Sequence, residues 1–338
     1  MTVGPRGRTL ARIRFAIWAL CPPVLHMGAK RLLEALGLRP PLDQSLPVPS
    51  HDDQVWDAPA AAAAQVPPEW EYVSEGWGRQ RTDPRVTGWN VEAIAAAYGE
   101  KWPSYLAALE GNAPLGVYHE VASGESVGNL DHAAHNMVIS FAYAVALAAH
   151  GRDRISILDW GGGIGHYYPL SRAVLPGVEI DYHCKDVPVL AAQGRRLFPE
   201  ATFYEDASCL RRRYDLVLAS GSLQYSENWK ETLTGLAEAT HGYLVVTRLP
   251  VTHTAPSFHV LQRAHAYGYD TEYVGWALNR DELLATAKDT GMELVRELLV
   301  AGLISIDGAP ESPIEHRGFL FRPHPRGPSD LRPGTVPE

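Results

Sequence analysis

The sequence predicts an α/β fold built on a Rossmann-like, largely parallel sheet, with a helical cap on its N-terminal side. Three observations predict it. From about Arg154 onward, short apolar runs alternate with helical stretches, as in a parallel sheet covered on both faces. A glycine-rich turn follows the first of these runs directly. The last two runs lack a full helix between them, so one of them is expected to be an antiparallel edge strand.

Seven apolar runs are expected to form the strands of this sheet. In chain order they are Ile155–Asp159, Val178–Cys184, Ala201–Tyr204, Tyr214–Ala219, Gly242–Thr247, Glu293–Val300 and Gly318–Arg322. The helices predicted between them are Ile164–Leu175, Pro188–Leu197, Asn228–Thr240 and Arg280–Thr290.

Composition divides the chain around this α/β domain, which is predicted to span residues 151–322. Residues 39–70 are rich in proline and alanine, so they are predicted to be a linker. Residues 71–150 are predicted to form a helical cap, with a helix break at Trp102-Pro103 and a longer helix that begins at Asp131 as its N-cap. The proline-rich residues 323–338 are predicted to be a disordered tail.

The N-terminal segment differs from the rest of the chain in charge. Residues 1–40 carry a net charge of +6 and the whole chain carries −9, so the remainder carries −15. An acidic body excludes nucleic acid as the partner, because binding a phosphate backbone requires a basic surface. Residues 1–38 are predicted to form a peripheral helical arm on an anionic membrane surface or on the body of the protein. A frayed helix without a lipid role is the alternative.

Cysteine usage and the apolar run at residues 15–25 bear on location. The three cysteines form no CxxC pair, so neither a disulfide framework nor a metal site is expected. The apolar run is interrupted by prolines and is far shorter than the ~20 residues of a membrane span. We therefore expect a cytoplasmic protein, with peripheral contact at the inner membrane face through the arm.

The turn after the first strand carries the strongest functional pattern. Asp159 ends the strand ISILD, and Gly161, Gly162, Gly163 and Gly165 follow it before a helix begins. Glycines permit a tight turn and a close approach of the backbone to a ligand. The helix N-terminus and the carboxyl edge of the sheet are where open α/β folds bind ligands. The pattern predicts a site for S-adenosylmethionine, with the carboxylate near the cationic methionine end.

A nicotinamide dinucleotide site is the rival interpretation. Its fingerprint would start at Gly161 and require a third small residue at position 166, where the sequence has His166. A pyrophosphate would also be repelled by Asp159.

Two later strand ends supply further candidates for the cofactor site. Asp186 follows the second strand and could accept hydrogen bonds from both ribose hydroxyls, with Asp181 as the alternative. Asp206, followed by Ala207, stands at the end of the third strand. It could meet the adenine amino group or simply cap a helix or turn.

The fourth and fifth strand ends are expected to face the reacting methyl group. Ser220 and Ser222 are predicted to contact the cofactor, and Gln224 and Tyr225 are predicted to face the cofactor or the acceptor. Arg248 follows the fifth strand and could hold a carboxylate acceptor, as could Arg263.

A histidine is the usual base near neutral pH, and His253 is predicted to be the catalytic base because it follows the fifth strand. The rival bases are His132, His135, His166 and His259. After His253, a loop is predicted to form a substrate wall. This loop contains Gln262, Arg263, His265, Tyr267, Tyr269, Tyr273 and Trp276.

The runs LDWGGGIGHYYPL, DYHCKDVP, YDLVLASGSLQY, TRLP and GYDTEYVGW resemble a family of bacterial class I methyltransferases whose members often accompany cell-surface polysaccharide genes. The resemblance covers residues 70 to 322, with PPVLHMGAKRL as a weaker match in the arm. It implies a seven-stranded methyltransferase sheet and S-adenosylmethionine as cofactor. It also implies that Asp159, Gly161 and Gly163 line the methionine and ribose part, Asp186 the ribose and Asp206 the adenine. Many class I enzymes carry Glu at the position of Asp186. The Asp side chain is shorter, so it reaches less far toward the ribose.

The sequence thus predicts a methyltransferase that acts on a hydroxyl or carboxylate of a small molecule or glycan. A nicotinamide-dependent oxidoreductase and a catalytically silent module that binds S-adenosylmethionine are the alternatives. The acceptor and the oligomeric state have no signature in the sequence.

Overall fold

Strands alternate with helices through most of the chain, as the apolar runs predict. The computed structural model of the 338-residue chain describes residues 68–112, 115 and 132–324. The strands are β1 (Trp70–Tyr72), β2 (Arg154–Trp160), β3 (Glu179–Lys185), β4 (Thr202–Tyr204), β5 (Tyr214–Ser220), β6 (Thr240–Thr252), β7 (Phe258–Arg263), β8 (Glu272–Asn279), β9 (Met292–Ile304) and β10 (Ile314–Pro323). The α-helices are α1 (Trp77–Thr82), α2 (Glu92–Glu110), α3 (His132–Ala149), α4 (Tyr167–Val174), α5 (Pro188–Leu197), α6 (Trp229–Glu238) and α7 (Arg280–Asp289). Short 3₁₀ helices span Ala207–Arg211, Leu223–Tyr225 and His265–Tyr267.

Seven of the strands form a central sheet in the order β4-β3-β2-β5-β6-β10-β9. The neighbours from β4 to β6 run parallel, whereas β10 runs antiparallel to both β6 and β9. Nine residues separate β9 from β10, and so short a connection cannot hold the crossover that a parallel pair needs. This order with one reversed strand is the Rossmann-like α/β fold of class I methyltransferases, and the predicted fold class is confirmed.

The position of the reversed strand differs from the prediction. The sequence predicts an antiparallel strand at the edge, but β10 lies inside the sheet between β6 and β9. Among the strands that the structure describes, β9 pairs only with β10. The last two strands therefore form a hairpin that inserts its second strand beside β6.

Alternating side chains of the central strands fill two separate cores. Ile155 and Ile157 of β2 are buried on one face with Leu216 of β5, beneath helices α3 and α4. Leu158 and Val217 are buried on the opposite face with the residues of α6 and α7. Because successive side chains of a strand point to opposite faces, a continuous apolar run buries both sides of the sheet.

A second group of strands extends the sheet beyond β6. The last residues of β6, Val251 and Thr252, pair in parallel with β8. Strand β7 then pairs antiparallel with β8, and β1 pairs antiparallel with β7. The sequence analysis interpreted this region as a loop, which is wrong. Its histidines and polar residues hide the strand pattern, although Phe, Val, Tyr and Trp favour strands.

Helix α2 carries part of the predicted cap. It buries Ile94, Tyr98 and Trp102 and packs against α4 and α5. The predicted break at Trp102-Pro103 is wrong, because the helix continues through Pro103 to Glu110. Pro103 is exposed, and the buried residues on the other side hold the helix together across it.

Several predictions fall outside the described residues. They are the arm at 1–38, the linker up to residue 67, the N-cap at Asp131 and the tail beyond residue 324. Of the helices within the described ranges, none combines the length and the apolar character that crossing a membrane requires.

Candidate functional site

The glycine turn between β2 and α4 is held in a conformation that other residues rarely adopt. Gly161, Gly163 and Gly165 have φ angles of 73°, 62° and 91°. A Cβ atom on Gly161 would lie 2.3 Å from Cβ of Ser222, at the end of β5. The Ser222 hydroxyl donates to the Trp160 carbonyl over 2.6 Å. Glycine is therefore required both by the backbone angles and by the close contact with the neighbouring strand end.

Asp159 lies on the side of this turn that faces the core, not on the side that faces the cavity. A Cβ atom on Gly162 would lie 2.3 Å from Oδ2 of Asp159, and the Tyr182 hydroxyl donates a hydrogen bond to the same oxygen. Asp159 is fully buried, and burial raises its pKa to about 7. It is not among the residues that line the cavity described below. Its carboxyl group supports the turn from the side of the core.

Asp186 joins the end of β3 to the glycine turn. Its Oδ2 accepts a hydrogen bond from the Gly163 N–H over 2.7 Å, and its Oδ1 accepts one from the Val187 N–H over 2.7 Å. The side chain is buried, which raises its pKa, although the two N–H donors act in the opposite direction. A carboxylate offers about four acceptor positions, so Asp186 retains capacity for two further hydroxyl donors.

A cavity of about 580 Å³ opens at the carboxyl ends of β2, β3, β5 and β6. One part, which we call the carboxylate side, is formed by the glycine turn and Asp186. It is flanked by Trp160, Lys185, Val187 and Leu190. The Lys185 ammonium lies 4.7 Å from the centre of the Trp160 ring. This edge of the sheet is where open α/β folds bind ligands.

The other part of the cavity, which we call the aromatic wall, is lined by Trp89, Tyr98, Tyr225, Tyr267, Tyr269 and Tyr273. The Trp89 and Tyr273 rings stack with their centres 4.4 Å apart. Tyr225 meets each of them edge to face at 5.1 Å. The Tyr225 hydroxyl donates to Gln262 Oε1 over 2.5 Å. The wall thus combines residues of α2 and the segment before it, of the 3₁₀ helix after β5, of the connection from β7 to β8, and of β8.

Arg248 lines the same cavity from within β6. Its φ of 58° is the one left-handed backbone angle at a non-glycine residue in the ranges that the structure describes. A Cβ atom on Gly221 would lie 3.0 Å from its Nη1, and the Gln224 side chain donates to its carbonyl over 3.2 Å. Burial lowers the pKa of the guanidinium, and the nearby tyrosines, Tyr98 among them, counteract this.

The cavity brings together seven of the residues predicted for the site. These are Gly161, Gly163, Asp186, Ser220, Ser222, Tyr225 and Arg248. Gly162 and Gly165 shape the turn without lining the cavity. Burial raises the pKa of the Tyr225 hydroxyl, so Tyr225 stays protonated and serves as wall and hydrogen-bond donor.

Asp206 and Ala207 do not line the cavity. Both are exposed, and Oδ1 of Asp206 accepts a hydrogen bond from the Ser208 N–H over 2.9 Å. The side chain therefore caps the 3₁₀ helix that begins at Ala207, which is the alternative role that the sequence left open.

His253, the predicted base, lies away from the cavity. Strand β6 continues to Thr252, five residues beyond the predicted strand end, and this carries the next residue about 16 Å further along the strand direction. The His253 side chain is 40% exposed, and its Nε2 lies 3.0 Å from Oε2 of Glu315. The structure thus does not support His253 as a base.

Two other histidines do line the cavity, His166 and His316. Burial lowers their pKa values to about 3 and about 4. Of the remaining rivals, His135 and His259 do not line it, and the side chain of His132 is outside the described residues.

Some residues of the predicted substrate wall line the cavity and others do not. Gln262, Tyr267, Tyr269 and Tyr273 line the cavity. Arg263 instead binds Glu71 through its guanidinium and donates to the Pro68 carbonyl over 2.8 Å. It therefore anchors β1 to β7.

Sequence reasoning missed Trp89, Tyr98 and His316. The signal at Tyr98 was its place on the apolar face of α2, which indicates burial but not a cavity.

No family model and no curated protein matches the chain. Among solved structures, the chain is similar to the Burkholderia thailandensis 1,6-didemethyltoxoflavin-N1-methyltransferase with bound 1,6-didemethyltoxoflavin and S-adenosylhomocysteine. The identity is 14% over 70% of this chain and 92% of that one, with a TM-score of 0.39. It is also similar to the N-terminal domain of EvdMO1 in the presence of S-adenosylhomocysteine and D-fucose, at 16% identity over 67% and 96%, with a TM-score of 0.41. The CcbJ methyltransferase from Streptomyces caelestis is similar at 15% identity over 56% and 89%, with a TM-score of 0.37.

Proposed function

We propose that this protein is a methyltransferase that uses S-adenosylmethionine. The observation that carries the proposal is the Asp186 carboxylate, bound to the Gly163 N–H at the edge of the cavity. A carboxylate at the end of the second strand can accept hydrogen bonds from the ribose hydroxyls of a nucleoside ligand. The glycine turn beside it allows the ligand to approach the backbone closely.

The hydrogen bonds of the turn favour a sulfonium cofactor over a dinucleotide. A pyrophosphate is bound by free N–H groups of such a turn and the following helix. Here the Gly161 N–H donates to the Lys185 carbonyl over 2.7 Å, and the Gly165 N–H donates to the Gly162 carbonyl over 3.0 Å. The Gly163 N–H is bound to Asp186. These three N–H groups are therefore not free to bind a diphosphate.

The residues on the carboxylate side fit an adenosyl ligand. Asp186 would hold the ribose, and Gly161 and Gly163 would face the methionine part. Trp160, with Val187 or Leu190 opposite, would flank the adenine. When bound, S-adenosylmethionine supplies a methyl group that its sulfonium already activates, so the protein has mainly to align the acceptor.

The acceptor side is formed by the aromatic wall and Arg248. We propose that it holds a small molecule or glycan whose hydroxyl or carboxylate is methylated. An acceptor from cell-surface polysaccharide synthesis and a membrane contact through residues 1–38 stay predictions from the sequence.

Binding measurements test the proposal directly. S-adenosylhomocysteine should raise the melting temperature, because a ligand at 100 times its Kd stabilises the native state by about 2.7 kcal/mol. NADH should leave it unchanged. Stabilisation by NADH and not by S-adenosylhomocysteine would support an oxidoreductase instead. Binding of S-adenosylhomocysteine without methyl transfer to any member of a broad acceptor panel would support the silent binding module.

A further inference from the structure

The aromatic wall is built for a flat ligand. Trp89, Tyr225 and Tyr273 pack with their rings stacked or edge to face, and all three line the cavity. Aromatic rings of a ligand prefer the same offset-stacked and edge-to-face arrangements with such residues.

Arg248 adds a positive charge beside this wall. Its guanidinium lies in the cavity close to Gly221. Burial lowers its pKa, and Tyr98, Tyr269 and Tyr273 lie near enough to raise it in part. A planar guanidinium can bind a carboxylate through two parallel hydrogen bonds. The left-handed backbone of Arg248 is strained, and such strain concentrates at ligand sites.

Gln224 supplies an independent indication of a polar ligand at this place. Its side chain is 3% exposed and lines the cavity. Within the part of the chain that the structure describes, its Oε1 atom has no hydrogen-bond partner. The indole N–H of Trp89 is also buried, and among the described residues it has no hydrogen-bond partner. Buried polar atoms left without partners are costly, so a ligand that donates to Gln224 and accepts from Trp89 would remove that cost.

The histidines in the cavity are poor candidates for a catalytic base. His166 and His316 have pKa values lowered to about 3 and about 4 by burial, so each is a weak base at neutral pH. Neither histidine would take the proton of an alcohol. An acceptor that arrives as an anion needs no base.

We infer that the methyl acceptor is a planar aromatic anion, with its ring against the aromatic wall and its anionic group paired with Arg248. The inference rests on the proposed function and adds the class of acceptor. In the reaction, an acceptor oxygen forms a bond to the methyl carbon while the bond from carbon to sulfur breaks. The electron pair returns to sulfur, the negative and positive charges cancel, and no proton has to be removed.

Calorimetry with matched probes tests this class. The probes are 4-hydroxybenzoate, its neutral counterpart 4-hydroxybenzamide, and the non-planar anion cyclohexanecarboxylate. Each is titrated into the full chain with and without saturating S-adenosylhomocysteine. We expect the aromatic acid to bind at least about tenfold more tightly than either other probe, which corresponds to about 1.4 kcal/mol.

Variants at Arg248 separate recognition from folding. Arg248→Gly removes the guanidinium, and glycine adopts the left-handed backbone at this position without strain. Urea denaturation of the variant checks that it remains folded. We expect it to bind the acid and the amide equally, whereas Arg248→Lys should keep part of the preference. Arg195→Met is the matched control, because Arg195 pairs with Glu205 outside the cavity.

Three results of the acceptor titrations would overturn the inference. They are equal binding of acid and amide by the parent, a preference that survives in Arg248→Gly, and failure of the acid to bind at millimolar concentration. Arg248→Gly could also weaken S-adenosylhomocysteine but not 5′-methylthioadenosine, which lacks the carboxylate. That result would assign Arg248 to the cofactor and overturn the inference while leaving the proposed function intact. If the parent binds no S-adenosylhomocysteine, the proposed function fails. The preference for the acid over the amide, measured without S-adenosylhomocysteine, still shows whether Arg248 binds the anionic group.

Discussion

The Gly163 N–H donates a hydrogen bond to Asp186 Oδ2 over 2.7 Å, and this bond joins the turn after β2 to the end of β3. One carboxylate therefore holds the turn in place and faces the cavity that the turn borders. The geometry of the turn and the proposed ribose contact depend on the same side chain.

Replacing Asp186 should weaken cofactor binding. Asp186→Asn loses the charge that strengthens hydrogen bonds to hydroxyl donors, and its NH2 group cannot accept one of the two backbone hydrogen bonds that the carboxylate receives. S-adenosylhomocysteine should therefore bind at least about tenfold more weakly. Calorimetry measures the change. Asp206→Asn is the control, since Asp206 is exposed and caps a 3₁₀ helix. If Asp206→Asn weakens binding more than Asp186→Asn, the proposed assignment of the two carboxylates is reversed.

A methyl group at Gly162 should disrupt the turn. The new Cβ would lie 2.3 Å from Asp159 Oδ2 and 2.8 Å from Cys184 Sγ, so Gly162→Ala should lower the free energy of unfolding by about 1–3 kcal/mol or more. Urea denaturation measures it. In an Asp159→Ala background the same change should cost less, because the nearer contact is gone.

Gly177→Ala is the matched control for that experiment. A Cβ atom at Gly177 would meet nothing within 4 Å, and its backbone is not left-handed. This variant should change stability by less than about 0.5 kcal/mol. Equal effects of the two alanine changes would contradict the packing of Asp159 beneath the turn.

Local patterns were sufficient to predict the centre of the fold. The strand that ends at Asp159 and the glycines after it are adjacent in sequence, and their apolar and glycine content determines their conformation without distant partners. Asp186 lines the cavity because the carboxyl ends of parallel strands share one edge, and the ribose contact stays a prediction.

Long-range pairing explains what the sequence could not show. Strand β1 at Trp70–Tyr72 pairs with β7 almost two hundred residues later, and nothing local indicates that pairing. Trp89 reaches the cavity from a segment that precedes the central sheet. His253 was misplaced because strand β6 continues past Thr247, where the apolar pattern becomes irregular.

The buried Asp159 should make stability depend on pH. Burial raises its pKa from 3.8 to about 7, so the folded state holds an extra proton between these values. Below about pH 4, Asp159 is protonated in both states and does not lower the free energy of unfolding. As the pH rises toward 7, the free energy of unfolding falls, because only the folded state keeps the proton. Between about pH 5 and about pH 8, the parent should therefore lose roughly 3 kcal/mol relative to Asp159→Asn, which cannot ionise.

Asp206→Asn serves as the control for this pH series. Hydrogen bonds from Ser208 lower the pKa of the exposed Asp206 carboxyl. Asp206 is thus ionised in both states above about pH 5, and its removal should leave the pH profile parallel to that of the parent. Parallel profiles for the parent and Asp159→Asn would show that Asp159 is ionised in the folded protein.

Arg263 is predicted to stabilise the fold rather than to bind an acceptor. Its side chain is 7% exposed, and it lies between Glu71 and Glu272, with Nε 3.5 Å from the Glu272 carboxylate. Arg263→Met would leave Glu272, which is 6% exposed, with an uncompensated charge, and removing one partner of a buried pair costs about 3–5 kcal/mol. Adding Glu272→Gln should restore part of the loss, because the remaining group is then neutral. Urea denaturation of the two variants measures both effects, and calorimetry should show unchanged affinity for S-adenosylhomocysteine in each. Full stability of Arg263→Met together with lost ligand binding would instead place Arg263 in the binding site.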